Sequence, residues 1–347
     1  MALPGWPGVG GIPREQGIRL VVVPDWRVRA RSRVAARSAS LALIERMFYS
    51  RPMRVDYRIE PCKTALTQVR GMPFRWSLNP YMGCVHRCTF CYVRHFEQRA
   101  ERPSDDRYGR SIRIKPNVAE VLRRELARAS WRHDEVALGT ATDPYQPAEA
   151  RFRLTRACVE ELAASGTPLS IVTRGPLIVR DIDVLQAAAR DVPVNVYVSL
   201  PTLDERVWRT TEPGTAPPAS RLRAIRALAD AGIEVGVGMA PILPGLSDRP
   251  EQLAAVVTAA RAAGARGIWA GVVHLRPGVR EHFLEALARD WPEQVEHYEA
   301  LFGTRAYLPA AIAGAITDPA RRAKASTRFS NSRQPVRAEP RQLALAL

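Results

Sequence analysis

The sequence predicts an α/β fold built around a parallel β-sheet, and two observations support this prediction. From residue 75 onward, six short runs rich in β-branched and apolar residues alternate with stretches of helical periodicity. A helix candidate follows each run, and a parallel neighbour is reached only through such a crossover. Either a doubly wound open sheet or a barrel-like (β/α) sheet fits this alternation. The strand candidates are residues 75–78, 136–140, 169–174, 194–199, 234–239 and 267–273.

The helix candidates have the ends expected of helices between strands. Several begin at Ser, Thr or Pro and end near Gly, the residue types preferred at those positions. Both architectures place functional groups in the loops that follow the carboxyl ends of the strands. The polar and cysteine-rich segments of this chain do follow the strand candidates. The helix candidates include PNVAEVLRRELARAS, TRACVEELAAS, RDIDVLQAAARD, SRLRAIRALADAG and PEQLAAVVTAARAAG.

Charge and composition divide the chain into three regions. We predict a basic N-terminal extension over residues 1–60, a core with a helical C-terminal part over residues 61–317, and a disordered basic tail over residues 318–347. The extension has eleven arginines against five acidic residues, so the two ends hold most of the net charge of +16. Basic tails are usually solvated, but they also bind polyanions. Nucleic acid therefore stays a candidate partner.

The sequence predicts a cytoplasmic protein with no membrane partner. No window approaches the roughly 18 consecutive apolar residues of a membrane span, and the first residues lack the basic and apolar regions of a signal peptide. The chain has five cysteines, an odd number. In a reducing cytosol, clustered cysteines are more often metal ligands or catalytic groups than disulfides.

Three cysteines, Cys84, Cys88 and Cys91, lie within eight residues in a Cys-x3-Cys-x2-Cys pattern. A structural zinc site takes four ligands, usually from two Cys-x2-Cys pairs, and here only His86 or His95 could supply the fourth. A [4Fe-4S] cluster is ordinarily held by four cysteines, so three leave one iron open to a substrate. The pattern favours the iron–sulfur cluster over zinc.

This cysteine pattern, with Phe90 before the third cysteine, resembles the signature of the radical S-adenosylmethionine (radical SAM) enzymes. The segments NPYMGCVHRCTFCYVRHF, ALGTATDPYQPAE, SIVTRG and VYVSLPTLDE are more narrowly similar to the spore-photoproduct-lyase-like branch, and the resemblance spans residues 74–289. It implies an incomplete (β/α)6 TIM-like barrel. The number of strand–helix alternations, counted independently, agrees with that barrel.

The resemblance also implies a mechanism. The cysteines would hold a [4Fe-4S] cluster whose open iron chelates S-adenosyl-L-methionine (SAM). An electron from a donor such as a flavodoxin or ferredoxin would cleave SAM to methionine and a 5′-deoxyadenosyl radical, which abstracts hydrogen from an unidentified substrate. Nucleic acid is one candidate for that substrate.

Six further residues match positions that contact the cofactors in the family. Phe90 and Tyr92 fall at aromatic positions around the cluster and SAM, and Thr142 and Asp143 lie in the loop that reaches the SAM amino group. The other two are Arg174, which stands where spore photoproduct lyases have a lysine for the methionine carboxylate, and Ser199, which matches a polar SAM contact.

One position departs from the spore photoproduct lyases. Their hydrogen-donating cysteine corresponds to Thr140, and a hydroxyl is a much poorer hydrogen-atom donor than a thiol. Radical chemistry is therefore expected without thymine-dimer repair. Two other hypotheses stay open: a nucleic-acid-binding protein with a structural metal centre, and a zinc-dependent hydrolase. Of the remaining residues, His274 is a candidate for the barrel mouth, while Cys158 is expected to be a buried structural thiol.

Overall fold

The computed structural model describes residues 55–326, which contain ten strands and eleven α-helices. The strands are β1 Asp56–Ile59, β2 Leu66–Gln68, β3 Trp76–Leu78, β4 Tyr81–Met82, β5 Ser111–Ile114, β6 Val136–Leu138, β7 Leu169–Thr173, β8 Val194–Ser199, β9 Glu234–Ile242 and β10 Ile268–Val272. The helices are α1 Val93–Arg99, α2 Val118–Leu126, α3 Ala148–Phe152, α4 Leu154–Ala164, α5 Ile182–Asp191, α6 Glu205–Thr211, α7 Pro218–Asp230, α8 Pro250–Ala262, α9 Val279–Asp290, α10 Val295–Phe302 and α11 Ala310–Ser326.

The main sheet has seven strands in the order β10-β9-β8-β7-β6-β3-β2. Six of them, from β3 to β10, pair in parallel and follow one another in chain order, while β2 is antiparallel to β3. A doubly wound sheet reverses its strand order near the middle, and this sheet does not. The six-stranded parallel sheet is therefore the incomplete (β/α)6 barrel, and all six predicted strands are confirmed.

The two faces of the parallel sheet differ in what they contact. On β8, Val194, Val196 and Val198 belong to the main hydrophobic core. Because neighbouring side chains in a strand point to opposite faces, Tyr197 and Ser199 face the interior of the barrel. The Ser199 side chain, at the end of β8, therefore projects from the inner face.

A second sheet, in the order β1-β5-β4, was not predicted from the sequence. Its strand β1 pairs in parallel with β5, in register from Asp56 with Ser111 to Ile59 with Ile114. The predicted end of the N-terminal extension at residue 60 therefore lies too far along the chain, because its last residues belong to this sheet. Residues 1–54 lie outside the described residues.

The boundary of the predicted disordered tail at residue 318 is wrong. Helix α11 continues to Ser326 and packs against α8 and β10. Ile316, Ala320 and Ala323 are spaced three or four residues apart and contact the main core, and the Lys324 ammonium donates to the Ile268 carbonyl at 3.0 Å. The apolar stripe thus keeps this segment helical and packed on the core despite its polar composition. Residues 327–347 lie outside the described residues.

Within residues 55–326, none of the helices combines the length and the apolar character needed to cross a membrane.

Candidate functional site

The three predicted ligand cysteines lie on one loop between β4 and α1. Cys84 and Cys88 are buried, and Cys91 is partly exposed. Cys88 packs with Phe90 in one hydrophobic cluster, and Cys84 packs in another. Across residues 55–326, no three His, Cys, Asp or Glu side chains are grouped as the ligands of a single metal ion. A [4Fe-4S] cluster instead takes each cysteine on a different iron, so the three thiols of this loop fit a cluster by their chemistry.

Burial opposes ionisation of these thiols in the protein alone. Burial, followed by the negative charge of Asp143, holds the pKa of Cys84 well above its ordinary value. Burial raises the pKa of Cys88 to about 12, although the charge of Arg174 acts in the opposite direction. Iron binds thiolates, so the positive charge of bound iron would stabilise the ionised forms that this buried loop disfavours.

The loop that follows β6 holds the beginning of the cysteine loop. The Thr142 hydroxyl donates to the Gly83 carbonyl at 2.6 Å, and the Gln146 amide nitrogen donates to the same carbonyl at 3.1 Å. The Gln146 side-chain oxygen accepts from the Val85 backbone N–H at 3.2 Å. The structure therefore gives Thr142 a contact with the cysteine loop, and its contact with SAM stays a prediction.

Asp143 is a buried carboxylate with protein partners on both oxygens. It accepts from the Thr173 hydroxyl at 2.6 Å, from the backbone N–H groups of Tyr145 and Arg174 at 2.9 and 2.6 Å, and lies 3.3 Å from His86 Nδ1. Burial alone would raise the pKa of Asp143, but His86 and these hydrogen bonds lower it below the ordinary value. Asp143 thus joins the cysteine loop to β7, and its predicted contact with the SAM amino group stays a prediction.

Arg174, directly after β7, lies between the cysteine loop and the ends of the next strands. Its Nε donates to Glu212 at 3.2 Å, one Nη donates to the Ala240 carbonyl at 3.2 Å, and the guanidinium lies 5.7 Å from the centre of the Phe90 ring. Its other terminal nitrogen, Nη1, has no hydrogen-bond acceptor among residues 55–326. Arg174 therefore keeps one donor group open to a carboxylate.

Ser199 ends β8 and lies on the inner face of the barrel, and its predicted contact with SAM stays a prediction. The residue is buried, yet within the described chain its hydroxyl makes no hydrogen bond, whereas its backbone carbonyl accepts from Arg221 at 3.0 Å. The hydroxyl is thus available to a ligand at the strand ends.

The two predicted aromatic residues have different environments. Phe90 is buried beside Cys88, while Tyr92 is 39 % exposed. The Tyr92 ring lies 6.0 Å from His274, which stacks on Tyr307 at 5.1 Å and an interplanar angle of 14°. These three residues form what we call the aromatic row, which begins next to Cys91. His274 thus lies beside the cysteine loop.

Thr140 lies in a small polar network at the end of β6. Its hydroxyl hydrogen-bonds the Ser77 hydroxyl, and the Asn79 amide donates to Ser77 at 2.9 Å and to Thr140 at 3.4 Å. None of these three side chains has a thiol. The network therefore places hydroxyl and amide groups, and no thiol, at the end of β6.

Sequence reasoning missed Glu212 and Arg221, which connect to Arg174 and Ser199. His86, a candidate zinc ligand from the sequence, instead lies 3.3 Å from Asp143, and Gln146 contacts the cysteine loop. The position of Glu212, in the connection that follows β8, was the available signal, because such connections carry function in (β/α) barrels.

Comparison with known proteins relates this chain to one superfamily. The family model of the Radical SAM superfamily matches residues 78–285. An uncharacterized protein of Mycobacterium tuberculosis is 43 % identical over 251 residues, covering 72 % of this chain and 74 % of the relative. An uncharacterized protein of Acidianus two-tailed virus is 28 % identical over 224 residues, covering 61 % of this chain and 71 % of the relative.

Among solved structures, the fold is similar to that of spore photoproduct lyase. A mutant of that enzyme with bound AdoMet and dinucleoside spore photoproduct superimposes with a TM-score of 0.59 at 16 % identity, covering 79 % of this chain and 80 % of that chain. A complex of the lyase with dinucleoside spore photoproduct gives a TM-score of 0.58 at 15 % identity over the same shares. At this identity the similarity shows the fold.

Proposed function

The chain belongs to the radical SAM superfamily, and from that premise we propose that Cys84, Cys88 and Cys91 hold its [4Fe-4S] cluster. It is an enzyme of that superfamily, whose cofactors are the cluster and SAM. When bound, these cofactors supply reductive cleavage of SAM and, through the 5′-deoxyadenosyl radical, abstraction of a hydrogen atom. We propose this reaction for an unidentified substrate, with a flavodoxin or ferredoxin as the electron donor.

The observation that carries this proposal is the position of an open arginine donor next to a loop with three thiols. Arg174 keeps Nη1 without an acceptor in the described chain, and its guanidinium lies over Phe90, two residues from Cys88. An arginine there can bind the methionine carboxylate through charge-assisted hydrogen bonds. The Ser199 hydroxyl offers a second polar contact from the neighbouring strand end.

The residues around the cysteines also restrict water and fix geometry. Cys88 and Phe90 are buried in an apolar cluster with Leu243, Leu246 and Val273, which limits access of water to that side of the loop. Asp143, through His86 and the Arg174 backbone N–H, holds the loop and the end of β7 together. We therefore assign Asp143 a positioning role in addition to its predicted contact with SAM.

The state of the cysteines supports a cytoplasmic location for the protein. None of its five cysteines forms a disulfide, as expected in a reducing compartment.

The polar network at Thr140 bears on the type of reaction. Neither Thr140 nor its neighbours Ser77 and Asn79 can donate a hydrogen atom as a thiol does. We therefore propose a reaction other than thymine-dimer repair at this site.

Formation of 5′-deoxyadenosine tests the proposal. The protein is reconstituted with iron and sulfide without oxygen, reduced with dithionite and given SAM, and iron, sulfide and 5′-deoxyadenosine are measured on the same sample. We expect wild type to form 5′-deoxyadenosine and Cys88→Ala to form none. Cys62→Ala is the matched control, because Cys62 hydrogen-bonds Asn117 only through its backbone and should keep wild-type activity. A fully loaded cluster that yields no 5′-deoxyadenosine would contradict the proposal.

A second candidate function, nucleic-acid binding, is favoured by the aromatic row. Tyr92 and Tyr307 are 39 % and 51 % exposed. Arg276 donates to the Tyr307 hydroxyl at 2.8 Å and lies 5.5 Å from its ring, while burial and the charge of Arg276 lower the pKa of His274 and keep that ring neutral. Exposed aromatic rings beside arginine are the surfaces on which unpaired bases stack.

Binding of a fluorescent single-stranded oligonucleotide at fixed salt tests this second function. Stacking on an aromatic ring contributes about 1–3 kcal/mol per base, so we expect Tyr307→Ala to weaken binding roughly tenfold or more. Ile59→Ala, at an exposed residue of β1, is the control and should bind as wild type. Equal binding by both variants would count against the aromatic row as a base-binding surface.

A further inference from the structure

Arg174 is linked to two buried charged residues, Glu212 and Arg221. Glu212 is 2 % exposed and accepts from Arg174 Nε at 3.2 Å through one oxygen. Its second oxygen forms an ion pair with Arg221, which is 1 % exposed. Arg221 in turn donates to the Ser199 carbonyl at 3.0 Å and to the Ala216 carbonyl at 2.9 Å. One carboxylate thus joins the two proposed SAM contacts, Arg174 and Ser199.

The segment that carries Glu212 also contacts the cysteine loop. The Thr89 backbone N–H donates to the Thr211 carbonyl at 2.9 Å, and the Gly214 N–H donates to the His86 carbonyl at 3.0 Å. Gly214 approaches so closely that a methyl group built on it would lie 2.1 Å from the Val85 carbonyl oxygen. Residues 211–215 therefore contact the cysteine loop on one side and Arg174 on the other.

We propose that Glu212 is a positioning residue that fixes the open face of Arg174 relative to the cysteine loop, and so aligns the carboxylate of SAM with the cluster. This inference rests on the proposed function. Glu212 accepts from Nε of Arg174 and the Ala240 carbonyl accepts from one Nη, so Nη1 is the nitrogen without an acceptor among residues 55–326. An arginine held at two of its three nitrogens loses little conformational entropy when it binds a ligand.

Glu212 holds a negative charge between two arginines. Arg174 and Arg221 each form an ion pair with its carboxylate. Burial alone would raise the pKa of Glu212, but Arg221 and Arg174 lower it below its ordinary value, so Glu212 is ionised at neutral pH. Neutralising one member of a buried ion pair is strongly destabilising, because the remaining charge is left buried without a partner.

Comparing the affinities of two ligands distinguishes this positioning role from a purely structural one. We measure the dissociation constants of SAM and of decarboxylated SAM, which lacks the carboxylate, on reconstituted wild type, Glu212→Gln and Glu205→Gln. Glu205 is the matched control, because its ion pair with Arg209 on α6 is exposed. In Glu212→Gln we expect the dissociation constant of SAM to rise about tenfold or more, and that of decarboxylated SAM to stay within about twofold.

Hydrogen exchange at the Thr89 and Gly214 amides gives a readout that needs neither cluster nor SAM. We expect faster exchange at both amides in Glu212→Gln than in wild type or Glu205→Gln. Equal weakening of both ligands, or no weakening of either, would overturn the positioning role while leaving the proposed function intact. If loaded wild type bound neither ligand, the proposed function would fail. The alignment of SAM would fail with it, and exchange would then test only whether Glu212 holds the cysteine loop. Unchanged exchange in Glu212→Gln would overturn that part of the inference.

Discussion

Gly214 fixes the spacing between the cysteine loop and residues 211–215, and its replacement by alanine should show how much that spacing matters. The backbone of Gly214 does not adopt the left-handed conformation that favours glycine, so alanine adds a steric conflict and no backbone strain. The added methyl would lie 2.1 Å from the Val85 carbonyl oxygen and 2.9 Å from the Cα of His86. The neighbour in each case is backbone, which cannot rotate away.

The size of the conflict sets the expected effect. Ordinary contact begins at 3.4 Å, so the loop and the segment must separate by about the difference between 3.4 and 2.1 Å, or 1.3 Å. A shift of about 1 Å in the positions of reacting groups can lower a rate about a hundredfold. Overpacking also destabilises a folded protein by about 1–3 kcal/mol. We therefore expect 5′-deoxyadenosine formation to fall about a hundredfold in Gly214→Ala.

The assay compares Gly214→Ala with Gly267→Ala at matched iron content. Gly267 also has no left-handed backbone, and a methyl group built on it meets nothing within 4 Å, so Gly267→Ala should keep wild-type activity within about twofold. Urea unfolding of both variants separates lost stability from lost activity. Wild-type rates of 5′-deoxyadenosine formation in Gly214→Ala would refute the reasoning, because the loop spacing would then have no influence on the reaction.

Two further predictions concern binding and stability. Arg174→Lys should raise the dissociation constant of SAM about tenfold, because one ammonium cannot bind Glu212, the Ala240 carbonyl and a ligand carboxylate at once, as a guanidinium can. Equilibrium binding of SAM measures this change. Unchanged affinity would contradict the assignment of Arg174 to the SAM carboxylate. Burial, and then the charge of Arg94, lower the pKa of His282 from 6.5 to about 4. As pH falls below 6.5, His282 takes up a proton in the unfolded chain but stays neutral in the folded protein, which favours unfolding. Between pH 7 and pH 5 this residue should therefore lower the free energy of unfolding by about 2 kcal/mol. Urea unfolding at both pH values should show that drop in wild type and not in His282→Gln, and equal drops would contradict it.

The strands and helices of the barrel could be predicted because their signals are local. Alternation of β-rich runs and amphipathic stretches depends only on residues near in sequence, and β8 was placed at its observed bounds. The sheet of β1, β4 and β5 was missed because its short strands pair with partners far along the chain, so no local pattern marks them. The end of the core was misplaced because the apolar stripe of α11 was read as part of a polar tail.

The site divides in the same way. The cysteine pattern is contained in eight residues and was recognised directly. The partners of Arg174 were not, because Glu212 lies 38 residues further along the chain and meets it only through the order of the strands. Asp143 was recognised as a site residue, but its contacts with His86, Thr173 and the Arg174 N–H depend on how three loops meet. Sequence therefore identifies the residues that carry chemistry more readily than those that position them.

The claim that three cysteines leave one iron open to SAM is tested most directly by electron paramagnetic resonance of the reduced cluster. Wild-type protein is reconstituted and reduced with dithionite, and its spectrum is recorded before and after addition of excess SAM. We predict that the spectrum changes, because a new ligand alters the electronic environment of the open iron. A fully loaded, reduced cluster whose spectrum is the same with and without SAM would contradict the claim.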